Sequence, residues 1–392
     1  MPWSQTTPMD EKTRFIADHL RGTFSISELC TNYRISRKTA YKWIDRYLHE
    51  GPGGLEDRSR KPYSAPNRTP QHIVQALLEV RSHHPSWGAG KLLAFVQRRH
   101  RGWDLPARST ANEILKREGL LKPKPRRRRI GHPGEPTTRI VAPNDCWCAD
   151  FKGQFKTMDG IYCYPLTVTD GHSRYLLACQ GLSSTKVEEA KPVFTRIFRE
   201  FGLPDRIRTD NGVPFATNTL ARLSKLSAWW VRLGVLPELI EPGKPQQNGR
   251  HERMHRTLKA EATRPPSNTR LAQQRRFDRF RDEFNNERPH EALQMHTPGS
   301  VYASSPRPMP DRLPPLEYPD HFEVRYVSAN GGIRWNCAWV NVSTTCVGEY
   351  VGLEEIDDGI WNVYFGPLKL GRLLEREMRI EDAYGRLKRH QL

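Results

Sequence analysis

The sequence lacks the features that would place it in a membrane or in a disulfide-stabilised fold. It has no run of about 18 apolar residues, the length that a membrane-spanning helix needs. Its seven cysteines are an odd number and include no C-x-x-C pair, and the first 25 residues contain no apolar core typical of a secretory signal. We therefore expect a cytoplasmic protein with reduced thiols.

Positive charge is abundant and unevenly distributed. The 392 residues carry a net charge of +18, and residues 1–143 alone contain 27 Lys and Arg against 13 Asp and Glu. Cations concentrated in one third of a chain are typical of a protein that binds a polyanion, and the alternative is a merely soluble basic surface. The length predicts two to four domains, and a hydrophobic content of 36% is enough for packed cores.

The N-terminal segment, residues 9–50, predicts three short helices. Ser25 with Glu28 can form a capping box for the second, and Ser36 can cap the third. A helix, a tight turn and a further helix that opens with cations indicate a helix-turn-helix, which presents side chains to the major groove of DNA. The alternative is a helical bundle that binds no DNA. The side chains expected to contact phosphates or base edges are Arg37, Lys38, Lys42 and Arg46.

Two linkers flank a second helical segment. Residues 51–69 are rich in Gly, Pro, Arg and Ser and predict an extended linker, and residues 70–122 predict a second domain similar to a helix-turn-helix. Residues 123–143 form a linker rich in proline and arginine. Proline keeps such a stretch extended, so its cations can follow a DNA backbone; the run also resembles a nuclear-import signal. These cations are Arg126, Arg127, Arg128 and Arg129.

The pattern changes to mixed strands and helices in residues 144–295. Three strands, a helix, a strand, a helix, a strand and a further helix follow in order, which predicts an α/β domain with a mixed sheet. Residues 216–233 are expected to form one long helix. Residues 296–317 predict a proline-rich connector, and residues 318–392 contain short strands that predict a small all-β, barrel-like domain. The protein is thus expected to be multidomain, with all-α, α/β and all-β parts.

Three carboxylates in the α/β domain are candidates for a metal site. Asp150 lies within an otherwise apolar strand, Asp210 follows the end of another strand, and Glu252 lies in the first turn of a helix. Arg256 and Lys259 share the face of Glu252. Carboxylates without a thiolate or imidazole at ligand spacing favour Mg²⁺ or Mn²⁺. Two such ions about 3.5–4 Å apart can promote an in-line phosphoryl displacement.

Other residues near these motifs have simpler interpretations. Asp170 is typical of a hairpin turn, with a lesser possibility that it organises the site. His251 and His255 are more typical of supporting or surface groups than of metal ligands. Core packing is the simplest interpretation of the remaining ones, Cys146, Cys148, Trp229 and Trp230.

Three motifs resemble the catalytic core of retroviral integrases and bacterial insertion-sequence transposases, the DDE superfamily with a ribonuclease-H-like fold. They are the strand with Asp150, RTDNG around Asp210, and PQQNGRHE ending at Glu252; NERPH at residues 286–290 resembles the segment that closes such cores. The helix-turn-helix patterns make the insertion-sequence branch the closer match. Two features depart from the family: 41 residues separate Asp210 from Glu252, a longer interval than is common, and the zinc module of retroviral integrases is absent.

The resemblance implies a metal-dependent transposase. Asp150, Asp210 and Glu252 would bind two Mg²⁺ or Mn²⁺ ions, while Arg256 and Lys259 would hold DNA near the cut. The enzyme would cleave double-stranded DNA at the terminal inverted repeats of its element and transfer the 3′-hydroxyl into target DNA, as a homo-oligomer because two ends must be joined. The alternatives are a DNA-binding regulator with an inactive core and a plain nuclease.

Overall fold

The structure, a computed structural model, describes residues 7–59, 68–121, 138–241 and 245–383. The chain divides into two compact units, Met1–Arg68 and Thr69–Leu392. None of the described helices has the length and apolar character that crossing a membrane requires. The predicted DNA contacts Arg126, Arg127, Arg128 and Arg129 lie outside the described residues.

The first unit contains the three predicted helices, α1 (Pro8–Arg21), α2 (Ile26–Asn32) and α3 (Arg37–Glu50). The capping box of Ser25 and Glu28 is formed, and the Ser36 hydroxyl accepts from the Thr39 backbone N–H. These caps satisfy backbone donors that would otherwise be unpaired at the helix starts. The helices enclose a core whose members include Phe15, Ile16, Leu29, Ala40, Trp43 and Leu55.

The second unit begins with the second helical module, α4 (Gln71–His83), α5 (Ala89–Arg99) and α6 (Arg108–Arg117). Its helices pack around a core of their own that includes Leu77, Leu92 and Leu115. The module also contacts the α/β domain directly: Arg108 forms a salt bridge of 3.2 Å with Glu291, and Ser86 donates to Glu261. The module and the α/β domain therefore share one compact unit.

A mixed six-stranded sheet forms the centre of the α/β domain, as predicted. The strands are β1 (Trp147–Phe151), β2 (Phe155–Lys156), β3 (Tyr162–Asp170), β4 (Leu176–Leu182), β5 (Arg206–Thr209) and β6 (Leu236–Leu239). Their order in the sheet is β2-β3-β1-β5-β6, with β4 paired to β3. β1 is antiparallel to β3 and parallel to β5, and β5 is parallel to β6. The helices of this domain are α7 (Val187–Phe201), α8 (Lys225–Arg232), α9 (Gly249–Ala262), α10 (Arg270–Asp282) and α11 (Pro298–Val301).

The long helix predicted over residues 216–233 is wrong in its first half, because α8 begins only at Lys225, with Ser224 as its cap. A short 3-10 turn at Leu220–Arg222 precedes it, and Ala221 has a positive φ of 50°. Residues of this turn are buried against the C-terminal sheet, and the Ala221 N–H donates to Asp382 at 2.7 Å. Tertiary packing therefore overrides the helical pattern in this segment.

The C-terminal region is all-β, as predicted, but barrel closure is not confirmed. Its strands are β7 (Glu323–Tyr326), β8 (Gly332–Trp335), β9 (Ala338–Asn341), β10 (Tyr350–Asp357), β11 (Ile360–Phe365), β12 (Leu368–Leu374) and β13 (Arg379–Asp382). Among the described strands, five form an open antiparallel sheet in the order β13-β12-β11-β10-β7, and β8 pairs only with β9. This region shares a hydrophobic cluster with residues of the α/β domain such as Ala228 and Val231 on α8.

Candidate active site

The backbone places Asp150 and Asp210 at the same edge of the sheet. β1 and β5 are adjacent and parallel, with Cys148 opposite Arg208 in the register. Asp150 and Asp210 each lie two residues further along. Neighbouring strands are about 4.8 Å apart. The two carboxylates therefore arise from equivalent positions at the carboxyl ends of adjacent strands, where α/β sheets place their sites.

The Asp150 carboxyl is electrostatically strained in its charged form. Its pKa is raised to about 7, first by burial and next by the negative charge of Asp210, with a smaller contribution from Glu252. The side chain is 21% exposed. A buried carboxylate beside other carboxylates favours protonation unless a cation compensates the charge. The arrangement is therefore typical of a cation-binding site.

The Asp210 carboxyl is held in a tight turn. The Gly212 backbone N–H donates to its Oδ1 at 3.2 Å, and a Cβ at position 212 would lie 3.1 Å from its Oδ2. The Asn211 side chain donates to the Ile240 carbonyl at 2.8 Å and ties the turn to the chain beyond β6. The glycine of the RTDNG motif thus leaves room for the carboxylate.

Glu252 is exposed in the first turn of α9. The buried face of this helix, which includes Met254 and Leu258, packs on the sheet side. Arg256 and Lys259 are exposed on the flank of Glu252, as the spacing predicts. The effect of Glu252 on the pKa of Asp150 indicates that the two charges interact, although the aspartates are the more closely associated pair.

Two buried histidines, His251 and His255, lie close to Asp150. Thr167 on β3 is opposite Asp150 in the register, and its hydroxyl donates to the Asp150 carbonyl at 3.1 Å. The same hydroxyl lies 2.7 Å from His251 Nε2 and 2.6 Å from His255 Nε2, and Thr169 Oγ1 lies 2.8 Å from His251 Nδ1. Burial lowers the pKa of His255 to about 3 and lowers that of His251 as well, so both rings are neutral.

These histidines contribute differently to the site. His255 Nδ1 lies 3.7 Å from Asp150 Oδ2. Ligand atoms of Asp150, His251 and His255 all lie within 4.8 Å of one another, close enough to hold a metal ion. However, both ring nitrogens of His251 already face threonine hydroxyls. His251 is therefore a supporting group, and His255 is the histidine whose free nitrogen faces the carboxylate.

Thr167→Val should destabilise the protein by at least about 2 kcal/mol, because it leaves the Nε2 atoms of two buried imidazoles without a partner. Urea denaturation of the two proteins measures this difference. Thr195→Val is the matched control, since the Thr195 hydroxyl only donates to the Lys191 carbonyl on the surface of α7. Equal losses in the two variants would show that the hydroxyl of Thr167 has no special part in holding the histidines.

The remaining candidates have the simpler roles predicted for them. Asp170 is buried in the turn after β3, where Oδ1 accepts from the Ser173 N–H at 2.7 Å and Oδ2 from the Asn144 N–H at 2.8 Å. The two cysteines and two tryptophans considered in the sequence are buried in the interior of the α/β domain: Cys146, Cys148, Trp229 and Trp230.

The predicted DNA-contacting residues of α3 lie on its outer surface. Lys38 and Lys42 are exposed, and Lys42 Nζ lies 4.5 Å from the centre of the Trp43 ring. Arg46 is half-buried and lies over the same ring at 5.0 Å. Arg37 is exposed and donates to the Ser27 hydroxyl at 2.8 Å. The helix therefore presents cations around one tryptophan.

Sequence reasoning missed Thr167, because its role depends on its register opposite Asp150. It also missed the buried salt bridge between Arg208 and Glu238 on β5 and β6, 2.7 Å long. This pairing removes Glu238 from the set of free carboxylates near the site. The sequence indicates this salt bridge only through the opposite charges of two residues on two predicted strands.

Known protein families match both the helical N-terminal part of the chain and its α/β domain. Integrase core domain families match residues 141–245 and 233–298. A helix-turn-helix domain family matches residues 11–63, and a homeodomain-like family matches residues 39–115. The carboxylate edge of the sheet and α9 lie within the integrase matches. The helix-turn-helix match includes α2, α3 and most of α1.

Individual relatives belong to mobile elements and retroviruses. The uncharacterized 31.7 kDa protein of insertion element IS407 from Burkholderia multivorans is 29% identical over 253 residues, which is 63% of this chain and 86% of that protein. The Gag-Pol polyprotein of baboon endogenous virus is 32% identical over 145 residues, which is only 8% of its length. The HTLV-2 integrase catalytic core domain, solved in complex with magnesium, aligns over 42% of this chain and 99% of its own, with 15% identity and a TM-score of 0.33.

The extent of the match differs between these relatives. Helix-turn-helix domains precede the integrase core in this chain, and the match to the insertion-element protein extends over most of that protein. The match to the viral polyprotein covers a small part of it. The chain therefore has an integrase core domain preceded by helix-turn-helix domains and is similar to proteins of insertion elements, which supports a DNA-integrating function of the transposase kind.

Proposed function

We propose that Asp150, Asp210 and Glu252 are the catalytic residues of a DDE-type polynucleotidyl transferase. The enzyme cleaves DNA at the ends of its element and transfers the 3′-hydroxyl into target DNA. The observation that carries this proposal is the register of β1 and β5, which brings two aspartates to one edge of the sheet. The raised pKa of Asp150, to which Asp210 and Glu252 both contribute, supports the grouping of all three.

The donor set fits Mg²⁺ or Mn²⁺, since carboxylate oxygens are the ligands that hard cations prefer. A cation also compensates the negative charge of Asp150, whose pKa is raised first by burial and next by the charge of Asp210. Two ions held by Asp150, Asp210 and Glu252 would supply activation of the attacking oxygen and stabilisation of the leaving one. His255 Nδ1 faces Asp150 Oδ2 at 3.7 Å, beyond hydrogen-bond distance.

The cationic residues bind the substrate. Arg256 and Lys259 on the exposed flank of α9 hold the DNA backbone beside Glu252. Arg37, Lys38, Lys42 and Arg46 on α3 contact the terminal inverted repeats, as the second helix of a helix-turn-helix does. Joining two element ends in one reaction requires two such cores, so the working form is a homo-oligomer.

A cleavage and joining assay tests the proposal. The full chain is incubated with Mg²⁺ and oligonucleotide duplexes that carry the candidate ends, and the products are separated on a denaturing gel. We expect nicked ends and, with target DNA present, joined products. Binding without cleavage would indicate a regulator with an inactive core, and cleavage without joining would indicate a plain nuclease; either outcome overturns the proposal.

A further inference from the structure

A cavity of about 310 Å³ lies beside α9, between the second helical module and the α/β domain. Lys91 on α5 reaches it from the helical module. Its size is at the lower end of the range of ligand sites in proteins. The cationic side chains that line it are Lys91, Arg174, Arg250, Arg253, Arg256 and Arg288, and the carboxylates are Asp170 and Glu291.

The lining has six cationic side chains against two carboxylates, and both carboxylates also bond to other groups. Asp170 accepts hydrogen bonds from the backbone N–H groups of Asn144 and Ser173. Glu291 forms a salt bridge with Arg108 at 3.2 Å. The charge inside the cavity is therefore strongly positive and draws anions.

Arg174 is the most informative residue of the lining. It lies in the turn between β3 and β4 with a positive φ of 68°, an uncommon conformation for a side chain of this size. Its Nη1 is buried and has no hydrogen-bond partner among the residues that the structure describes. Burial, followed by the charge of Arg250, lowers the pKa of Arg174 to about 10. A buried guanidinium donor without a partner is costly, and an anionic ligand removes that cost.

The opposite wall provides a second unpartnered group. His290 Nε2 is buried and has no partner in the described part of the chain. Burial lowers the pKa of this imidazole to about 3, and the charge of Lys91 contributes next. Arg288, in contrast, is already satisfied by Glu261 at 2.8 Å. The polar groups left for a ligand are thus arranged around Arg174 on one side and His290 on the other.

The cavity adjoins the flank of α9 that carries Glu252. Arg250 and Arg253, three residues apart, line the cavity, and Arg256, four residues after Glu252, lines it as well. The lining includes none of the three carboxylates Asp150, Asp210 and Glu252. A phosphate in the cavity therefore lies beside the proposed catalytic carboxylates and does not share their ligands.

We propose that this cavity binds a phosphate group of the DNA backbone, held by Arg174, Arg250 and Arg253, as a DNA contact separate from the catalytic carboxylates. The inference rests on the proposed function, since DNA is the polyanion that this chain handles. Arginine suits the task because its planar group donates two hydrogen bonds to phosphate oxygens. Lys91 extends the same cationic surface to the second helical module.

Arg174→Gln and Arg253→Gln test the site in the full chain. Each should weaken binding to a duplex of fixed sequence by about tenfold at physiological salt, because a charged hydrogen bond is lost. The slope of log K against log salt should fall by about 0.9, the value for one phosphate contact. Arg275→Gln removes the same charge from an exposed position of α10 outside the cavity, and should leave both values unchanged.

The outcomes separate this site from the proposed chemistry. If Arg174→Gln and Arg253→Gln bind DNA as Arg275→Gln does, the inference is wrong. If inorganic phosphate raises the melting temperature of the wild type but not of Arg174→Gln, with equal DNA slopes, the cavity holds a free anion and the DNA assignment fails. If the two variants show the expected change in slope but the wild type never cleaves DNA, only the catalytic proposal is overturned.

Discussion

Glu252→Gln should reduce Mg²⁺-dependent cleavage by at least about 10³-fold while leaving DNA affinity within about twofold of the wild type. The amide keeps the shape of the side chain but removes the charge that would hold the cation. Glu252 lies on an exposed flank of α9, away from the buried core, so the substitution should not disturb folding. Cleavage of an end duplex and a binding titration on the same preparation measure the two effects.

Two other glutamates precede α9 and provide the controls. Glu238 is paired with Arg208 inside the sheet, and Glu241 is exposed and bonded to Gln247. Glu241→Gln removes a carboxylate from the same region without touching α9, and should keep most of the cleavage activity. Loss of cleavage in Glu241→Gln together with an active Glu252→Gln would move the third ligand to Glu241. Asp150→Asn and Asp210→Asn should behave as Glu252→Gln does.

The positions of the two aspartates could be predicted from sequence because the residues next to each of them in the chain indicate a strand. An apolar strand interrupted by Asp150, and a short strand that ends at Asp210, both indicate an edge of an α/β sheet. The helix-turn-helix was predictable for the same reason, since the caps at Ser25 and Ser36 define the helix starts within a few residues. These features depend on neighbouring residues in the chain.

Features that depend on distant pairing were not predictable. The Thr167 hydroxyl meets two histidines more than 80 positions away, which only the strand register and the packing of α9 determine. The cationic cavity collects Lys91, Arg174 and Arg250 from three separate segments. Barrel closure was predicted from alternation alone, but alternation does not specify which strands pair at the edges of a sheet.

The helix α9 links these distant features. Its buried face carries the histidines near Asp150, one flank carries Glu252, and the adjoining surface carries the arginines of the cavity. The helix also contacts the second helical module, because Glu261 near its C-terminus accepts from Ser86 and pairs with Arg288. The second helical module and the proposed third carboxylate are therefore connected through one helix.

Asp150→Asn should make the metal-free protein more stable at pH 8, by up to about 4 kcal/mol. The pKa of Asp150 is about 7 in the folded protein, against a model value of 3.8. A raised folded pKa means that the protonated group favours folding below about pH 4 and that this stability is lost as the pH rises through about 7. A shift of about three units corresponds to about 4 kcal/mol, since each unit is worth about 1.4 kcal/mol. Urea denaturation from pH 4 to 9 measures the difference.

The dependence on pH and on Mg²⁺ distinguishes this effect from a general stabilisation. The advantage of Asp150→Asn should be small at pH 4 and grow through pH 7, whereas Asp311→Asn, which removes an exposed carboxylate, should show no such trend. Added Mg²⁺ should stabilise the wild type, by about 2.7 kcal/mol at a concentration 100 times its Kd, because it binds only the folded site. The variant should gain much less, so Mg²⁺ at that concentration should reduce the advantage of Asp150→Asn at pH 8 by about 2.7 kcal/mol. A constant difference across the pH range, or equal stabilisation of both proteins by Mg²⁺, would show that the strain on Asp150 is not caused by carboxylates gathered to bind a cation.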